Sequence, residues 1–248
     1  MTRDRADLCV GLDVGTSGLK AVALDAEGRV AAEASADYPL LTPAPGWTEQ
    51  DPNAWWRAAA TALRSLTEQV GADRIGAVGV SGQMHGMVAL DADGAPLRPA
   101  LLWNDQRTAA EVALIESTLP RDELVRRTGN PAVTGFQLPK ILWLRAHEPD
   151  AFARLRSVLF PKDWIAFRLT GERRAEATDA SGSGAFRIDT RDWDEELLTR
   201  LDLDPSLLPP LVASDAVVGE VGRGVAQETG LRPGTPVVAG AGDNAAAA

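Results

Sequence analysis

Leu8-Cys9-Val10-Gly11-Leu12-Asp13-Val14-Gly15-Thr16-Ser17-Gly18 is the stretch on which the fold turns. An apolar, partly β-branched run gives way to four residues with strong turn preference, which reads as a strand and a tight loop. The strand pattern resumes over residues 19–25, Ala26-Glu27-Gly28 supplies a second turn, and residues 29–38 alternate again. Three consecutive antiparallel strands are therefore expected at the start, with Cys9 as inert core. Pro39, Pro43, Pro45 and Gly46 then forbid regular structure, and Asp51-Pro52 sets an N-cap residue before a proline at the first helical position. Trp55, Ala59, Ala62, Leu66 and Val70 follow at spacings of three or four, one apolar stripe of an amphipathic helix. Residues 75–81 are β-branched alternating with glycine and predict a buried strand. Meander, helix and further strand make an α/β fold.

Further along, residues 87–91 and 96–103 around Ala92-Asp93-Gly94 predict a hairpin, and residues 108–119, 137–147, 151–157 and 161–169 are helical by period. Residues 236–240 read as another strand. The ending from Asp243 through four alanines is expected to be the entrance to a further unit.

Composition narrows the function. The 248 residues suffice for one large domain or two small ones, and 45% hydrophobic with 24% charged residues is ordinary for a globular chain. Lys+Arg 25 against Asp+Glu 35 leaves a net charge of -10, a field that repels phosphate backbones and argues against nucleic-acid binding. A bound nucleotide must then be met by local backbone dipoles and a metal. No run approaches the roughly 20 apolar residues that span a bilayer, so no membrane partner is expected. Residues 1–7 are charged without an apolar leader, and one cysteine makes no intrachain disulfide, which suits a cytoplasmic location.

Three segments carry chemistry. Asp13, at a strand end before Gly15-Thr16-Ser17-Gly18, can hold a hydrated cation while the turn meets a phosphate, or it can be a solvated residue of a plain hairpin. Ser81-Gly82-Gln83-Met84-His85-Gly86 sets hydrogen-bonding side chains between glycines and suits a small polyhydroxylated ligand, unless His85 is a satisfied core histidine and Met84 core filler. Gly240-Ala241-Gly242-Asp243-Asn244-Ala245 spells a dinucleotide fingerprint but lacks the helix, strand and ribose-binding acid that should follow. It reads better as a second carboxylate at a strand end, or as a turn aspartate. Trp103-Asn104-Asp105-Gln106-Arg107 clusters polar groups after an aromatic, as a site would and as a helix cap would. His147, near a helix C-terminus, reads as structural.

In this order, Asp13 with its glycine turn, Trp47-Thr48-Glu49-Gln50-Asp51-Pro52, Gly82-Gln83-Met84-His85-Gly86, Trp103-Asn104-Asp105-Gln106-Arg107, Pro161-Lys162-Asp163-Trp164 and Gly242-Asp243-Asn244 resemble the FGGY carbohydrate kinases, and among them the xylulokinase branch. The resemblance implies an actin-like ATPase, ribonuclease-H-like fold. It takes residues 1–235 as the N-terminal lobe of a two-lobe sugar kinase and 236–248 as the start of the C-terminal lobe. It further implies ATP with Mg2+, and γ-phosphoryl transfer to the 5-hydroxyl of D-xylulose or a related ketopentose; a homodimer stays open. By matched position, Asp243 is the general base and Asp13 sits at the Mg-ATP end. Gly15, Thr16 and Ser17 approach the terminal phosphate, and Met84, His85, Trp103, Asp105 and Asn244 contact the sugar. Kinases for glycerol, ribulose or gluconate are the alternatives within the family, and a non-catalytic sugar-binding module is the alternative outside enzymes.

Overall fold

The computed structural model describes residues 6–248; most of the charged opening, residues 1–5, lies outside the described residues. Strands β1 (Leu8–Val14), β2 (Gly18–Leu24) and β3 (Val30–Asp37) form the expected antiparallel meander, with Asp13 opposite Lys20. Helix α1 (Pro52–Val70) starts where Asp51 accepts the Asn53 amide at 2.9 Å and packs across β2 and β3. Strand β4 (Ile75–Gly82) then runs parallel to β1 and puts Ser81 beside Asp13. Late in the chain, β5 (Val217–Glu220) and β6 (Pro236–Gly242) complete a six-stranded mixed sheet in the order β5-β6-β4-β1-β2-β3.

Because β1, β4 and β6 are parallel, their carboxyl ends lie along one edge. A crevice at such an edge is where open α/β sheets bind ligands, since the loops there can diverge while the strands stay rigid. The turn at residues 15–18, the loop after Gly82 and Asp243 all follow from that edge. Strand β6 gets there through a bulge, with its register to β4 shifting between Val238 and Ala241. Gly240 sits in the bulge at φ 73, and a Cβ there would lie 1.7 Å from the Val80 carbonyl oxygen, so no other residue fits. The expected boundary at 235/236 falls inside this sheet, because β6 pairs with both β4 and β5.

Two apolar cores support the edge. One lies under the sheet, where Leu12, Val14, Val78 and Val237 meet Trp55 and Leu63 of α1 and Trp164 and Ile165 of α6 (Pro161–Thr170). The other is helical, with Leu138, Ile141 and Leu142 packed against Leu197 and Leu198. Helices α2 (Ala109–Thr118), α3 (Arg121–Thr128), α4 (Gln137–His147) and α5 (Pro149–Arg154) precede α6, and α4 matches its expected span.

Three expectations change. Cys9 is exposed, because strict alternation buries Leu8, Val10, Leu12 and Val14 and turns Cys9, Gly11 and Asp13 to the other face. The hairpin over residues 87–103 keeps only isolated bridges, since Val88–Leu90 pairs instead with Ser157–Leu159 and Ala100–Leu101 with Glu49–Gln50. For the same reason the helix expected over 151–157 starts at Pro149 and stops at Arg154. Among the described residues no helix is long and apolar enough to cross a membrane.

Candidate functional site

At one rim of the crevice the turn closes with Gly15 N–H donating to Gly18 O at 3.1 Å. Its carbonyls are drawn inward: Gly15 O accepts from the Tyr38 hydroxyl at 2.5 Å and Gln83 Nε2 at 3.3 Å, and Thr16 O accepts from Gln50 Nε2 at 2.7 Å. Gln50 is itself held by Trp55 Nε1 at 3.1 Å and Gln83 Nε2 at 3.0 Å. In a trans peptide the N–H points opposite to the C=O, so the Thr16 and Ser17 amides face away from this network. Fixed outward amides of this kind suit an anion. Burial, aided by the Asp13 charge, pushes the Tyr38 phenol up, so it remains a donor. The Thr16 hydroxyl is already engaged, accepting from Trp103 Nε1 at 3.2 Å and donating to Gln83 Oε1 at 3.3 Å. The exposed Ser17 is the turn residue whose hydroxyl is open to a ligand.

Asp13 is exposed beside the turn and accepts the Ser81 hydroxyl at 2.9 Å. No group of three metal-binding side chains occurs among the described residues, so a protein-only metal cage is not built here. One carboxylate at a cleft fits Mg2+, which keeps its waters and binds through one or two carboxylates together with substrate phosphates.

Directly after Gln83, which holds the turn, come Met84 and His85. His85 holds φ 64, an uncommon conformation for a residue other than glycine, and its ring stacks on Phe136 at 4.8 Å. Nδ1 lies 2.8 Å from the Gly182 carbonyl oxygen, so Nδ1 carries the hydrogen and Nε2 keeps a lone pair. Burial lowers the His85 pKa, the Lys140 charge acts with it, and Gly182 and Asp243 oppose. The ring is therefore neutral at physiological pH. Gly182 permits the approach: a Cβ there would stand 2.4 Å from the imidazole. Lys140, buried on α4, donates to His85 O at 2.8 Å and Gly135 O at 2.6 Å and so secures the unusual His85 backbone. Burial pulls its pKa down to about 7, with Asp105 opposing and Arg107 adding.

Just past β6 come Asp243 and Asn244, which open a short helix, Asp243–Ala246. Asn244 Nδ2 donates to Met84 Sδ at 3.7 Å, and the Met84 side chain covers Gly242. Asp243 is exposed and accepts the Asn244 amide at 2.7 Å. Trp103 is 47% exposed, an aromatic face turned outward beside Thr16. Asp105 is not brought to the crevice. Fully buried, it accepts from Thr48 N at 2.7 Å and from Arg107 Nε and Nη2 at 2.9 and 2.8 Å, which saturates both oxygens. It fixes the loop behind Trp103 and does not reach a ligand.

A buried charge cluster lies under the site, built on the Lys162-Asp163 pair of the Pro161-Lys162-Asp163-Trp164 motif, whose role the sequence alone does not assign. Lys162 donates to Asp163 at 2.5 Å and lies 3.3 Å from Glu176, with Asp179 close by. Burial works against the Lys162 charge, but the three carboxylates outweigh it and raise its pKa. Burial would likewise raise Glu176, yet Lys162 and the Thr178 and Asp179 donors hold it below its ordinary value. Asp179, fully buried and facing the His85 backbone amide, is driven well up by burial, with Lys162 opposing and its acidic neighbours adding, and Asp163 rises to about 6. One sign was present: the chain holds three lysines, Lys20, Lys140 and Lys162, against many arginines, and two of them lie in apolar helices.

With that geometry established, the model of the FGGY family of carbohydrate kinases, N-terminal domain, matches residues 8–248. The chain belongs to that family. It is 40% identical over 239 residues to the xylulose kinase of Escherichia coli, covering 96% of this chain and 49% of that protein. The crystal structure of xylulose kinase from Rhodospirillum rubrum superposes with a TM-score of 0.92 at 33% identity, over 96% of this chain and 49% of that one. A gluconate kinase from Lactobacillus acidophilus follows at 0.89 and 29%, over 95% and 48%. The chain thus spans about half the length of the curated relatives it matches. Its fold is the actin-like one of these sugar kinases, a mixed sheet with helices, as expected.

Proposed function

We propose that this chain is the sugar-binding half of an ATP-dependent kinase that phosphorylates a ketopentose, D-xylulose first, on its 5-hydroxyl. The observation that carries this reading is the meeting of Asp243 and Asn244 with Met84 and His85. Asn244 reaches the Met84 sulfur at 3.7 Å, and Asp243 and His85 are the chain neighbours of that pair. Phosphoryl transfer asks for alignment and charge neutralisation more than covalent help. Asp243 takes the hydroxyl proton as attack proceeds. The His85 Nε2 lone pair accepts a hydrogen bond from a sugar hydroxyl, Asn244 supplies amide donors and an acceptor, and Met84 and Trp103 offer apolar faces to the carbon skeleton. The Thr16 and Ser17 amides receive the terminal phosphate, and Asp13 would hold the metal. Bound Mg2+ neutralises phosphate charge. A second lobe, beyond the half of the relatives' length that this chain covers, carries the adenosine.

A coupled kinase assay of the intact enzyme with D-xylulose, D-ribulose, glycerol and gluconate tests this reading. The expected order puts D-xylulose first, and a preference for glycerol or gluconate overturns the ketopentose. The isolated 248-residue chain is expected to be folded and silent, because ATP and sugar are no longer aligned in one closed cleft. Turnover by the chain alone within about tenfold of the intact enzyme, ~1.4 kcal/mol in barrier, overturns the division of labour between lobes.

A further inference from the structure

The end of β6 is secured from one side by a short segment that took no part in the reading above. Gly242 N–H donates to Thr178 Oγ1 at 3.0 Å, across 64 positions of chain. The Thr178 hydroxyl in turn donates to Glu176 Oε1 at 2.8 Å. The direction is settled by chemistry. An ionised carboxylate only accepts, so the Thr178 hydrogen goes to Glu176 and a hydroxyl lone pair is left for the Gly242 amide. Glu176 is kept ionised and immobile: it also accepts from Thr178 N at 2.7 Å, Asp179 N at 3.0 Å and Ser214 Oγ at 2.9 Å, with the fully buried Lys162 at 3.3 Å. A few residues further on, the Gly182 carbonyl fixes the His85 ring. One segment, Glu176 through Gly182, therefore touches both the residue before the acid and the histidine opposite it.

We propose that Thr178 is a positioning residue for Asp243: its hydroxyl, oriented by Glu176, fixes the Gly242 amide and with it the direction in which the Asp243 carboxylate leaves the strand. This inference rests on Asp243 being the base. A carboxylate misplaced by about 1 Å costs rate far more than it costs ground-state sugar binding, because the proton moves in the transition state. Valine matches threonine in shape but removes both ends of the relay; serine keeps both.

The test compares Thr178→Val, Thr178→Ser and wild type in the intact enzyme, together with hydrogen exchange at the Gly242 amide. In Thr178→Val kcat is expected to fall about tenfold, with the sugar KM changed less than about threefold and the Gly242 amide losing protection. Thr178→Ser is expected within about twofold of wild type. A Thr178→Val enzyme with wild-type kcat overturns the proposal. So does a Thr178→Ser enzyme as slow as the valine variant, or a loss shared equally between kcat and KM, which is the mark of general loosening. Should Thr178→Val fail to fold, wild type and Thr178→Ser decide the matter by exchange, since a freely exchanging Gly242 amide in wild type removes the contact. A wild-type enzyme that phosphorylates no sugar defeats the kinase reading instead, whatever Thr178 does.

Discussion

At one rim of the crevice the turn over residues 15–18 is gripped from behind by Tyr38, Gln50 and Gln83, whereas at the other Asp243 stands exposed just past a strand end tied to Thr178 through Gly242. The first rim offers backbone amides. Amides cannot adjust by a change of rotamer, so their peptide planes must be set before the ligand arrives, and buried side chains do the setting. In the proposed reaction the second rim offers a side chain that follows a hydroxyl proton, which suits its standing free while the backbone beneath it is anchored. Rigidity is placed in the backbone at both rims, but under the proposed function it is itself the binding surface at the first and only aims a side chain at the second.

If that contrast is right, the largest effect comes from the exposed rim. Asp243→Asn keeps the shape and the Asn244 contact but cannot take a proton, and kcat in the intact enzyme is expected to fall by at least ~100-fold with little change in stability. Near-normal kcat removes Asp243 from the chemistry and with it the contrast.

A smaller effect is expected at His85. Asparagine tolerates the left-handed backbone found there, so His85→Asn isolates the ring. Loss of one hydrogen bond to the sugar should raise its KM about tenfold and leave the KM for ATP within about twofold. Equal shifts in both constants would return His85 to a core role.

The smallest effect sharpens the account of the anchor. Asp179 has its folded pKa raised above the unfolded value near ~3.9, so the folded state binds the extra proton. Stability from this group is then present below pH ~4 and declines as pH rises through the folded pKa. Asp163, raised to about 6, adds a decline of its own and Lys140, lowered to about 7, adds a rise, so Asp179 is read from the difference between variant and wild type. Asp179→Asn mimics the protonated acid. Urea unfolding of the 248-residue chain should find the variant within ~1 kcal/mol of wild type near pH ~4, with a flatter decline as pH rises from there. An Asp179→Asn chain that loses stability as steeply as wild type over that range shows that the proton sits elsewhere in the cluster.

Much of this was written locally. The alternation from Leu8 to Tyr38, the Asp51-Pro52 helix start and the span of α4 follow from period and capping, which depend on near neighbours. The approach of Asp13, His85 and Asp243 to one crevice was reached through the order of motifs, and each motif alone was ambiguous. Asp105 shows the limit, for a polar residue after an aromatic looks the same whether it meets a ligand or, as here, Thr48 and Arg107.

What the sequence determined by itself is the meander, the first helix, the glycine that β6 requires at 240, and which residue types could do the chemistry. The tertiary structure alone decided the rest. It set which strands lie beside Val88–Leu90 and Ala100–Leu101, carried β6 into the middle of the sheet, and gave Thr178, Glu176, Lys140 and Lys162 their partners. The reason is range: turns, caps and alternation act over a few residues, whereas a buried charge is tolerated only where the fold completes its set of partners, as Ser214 does for Glu176 and the His85 carbonyl for Lys140 from tens of residues away.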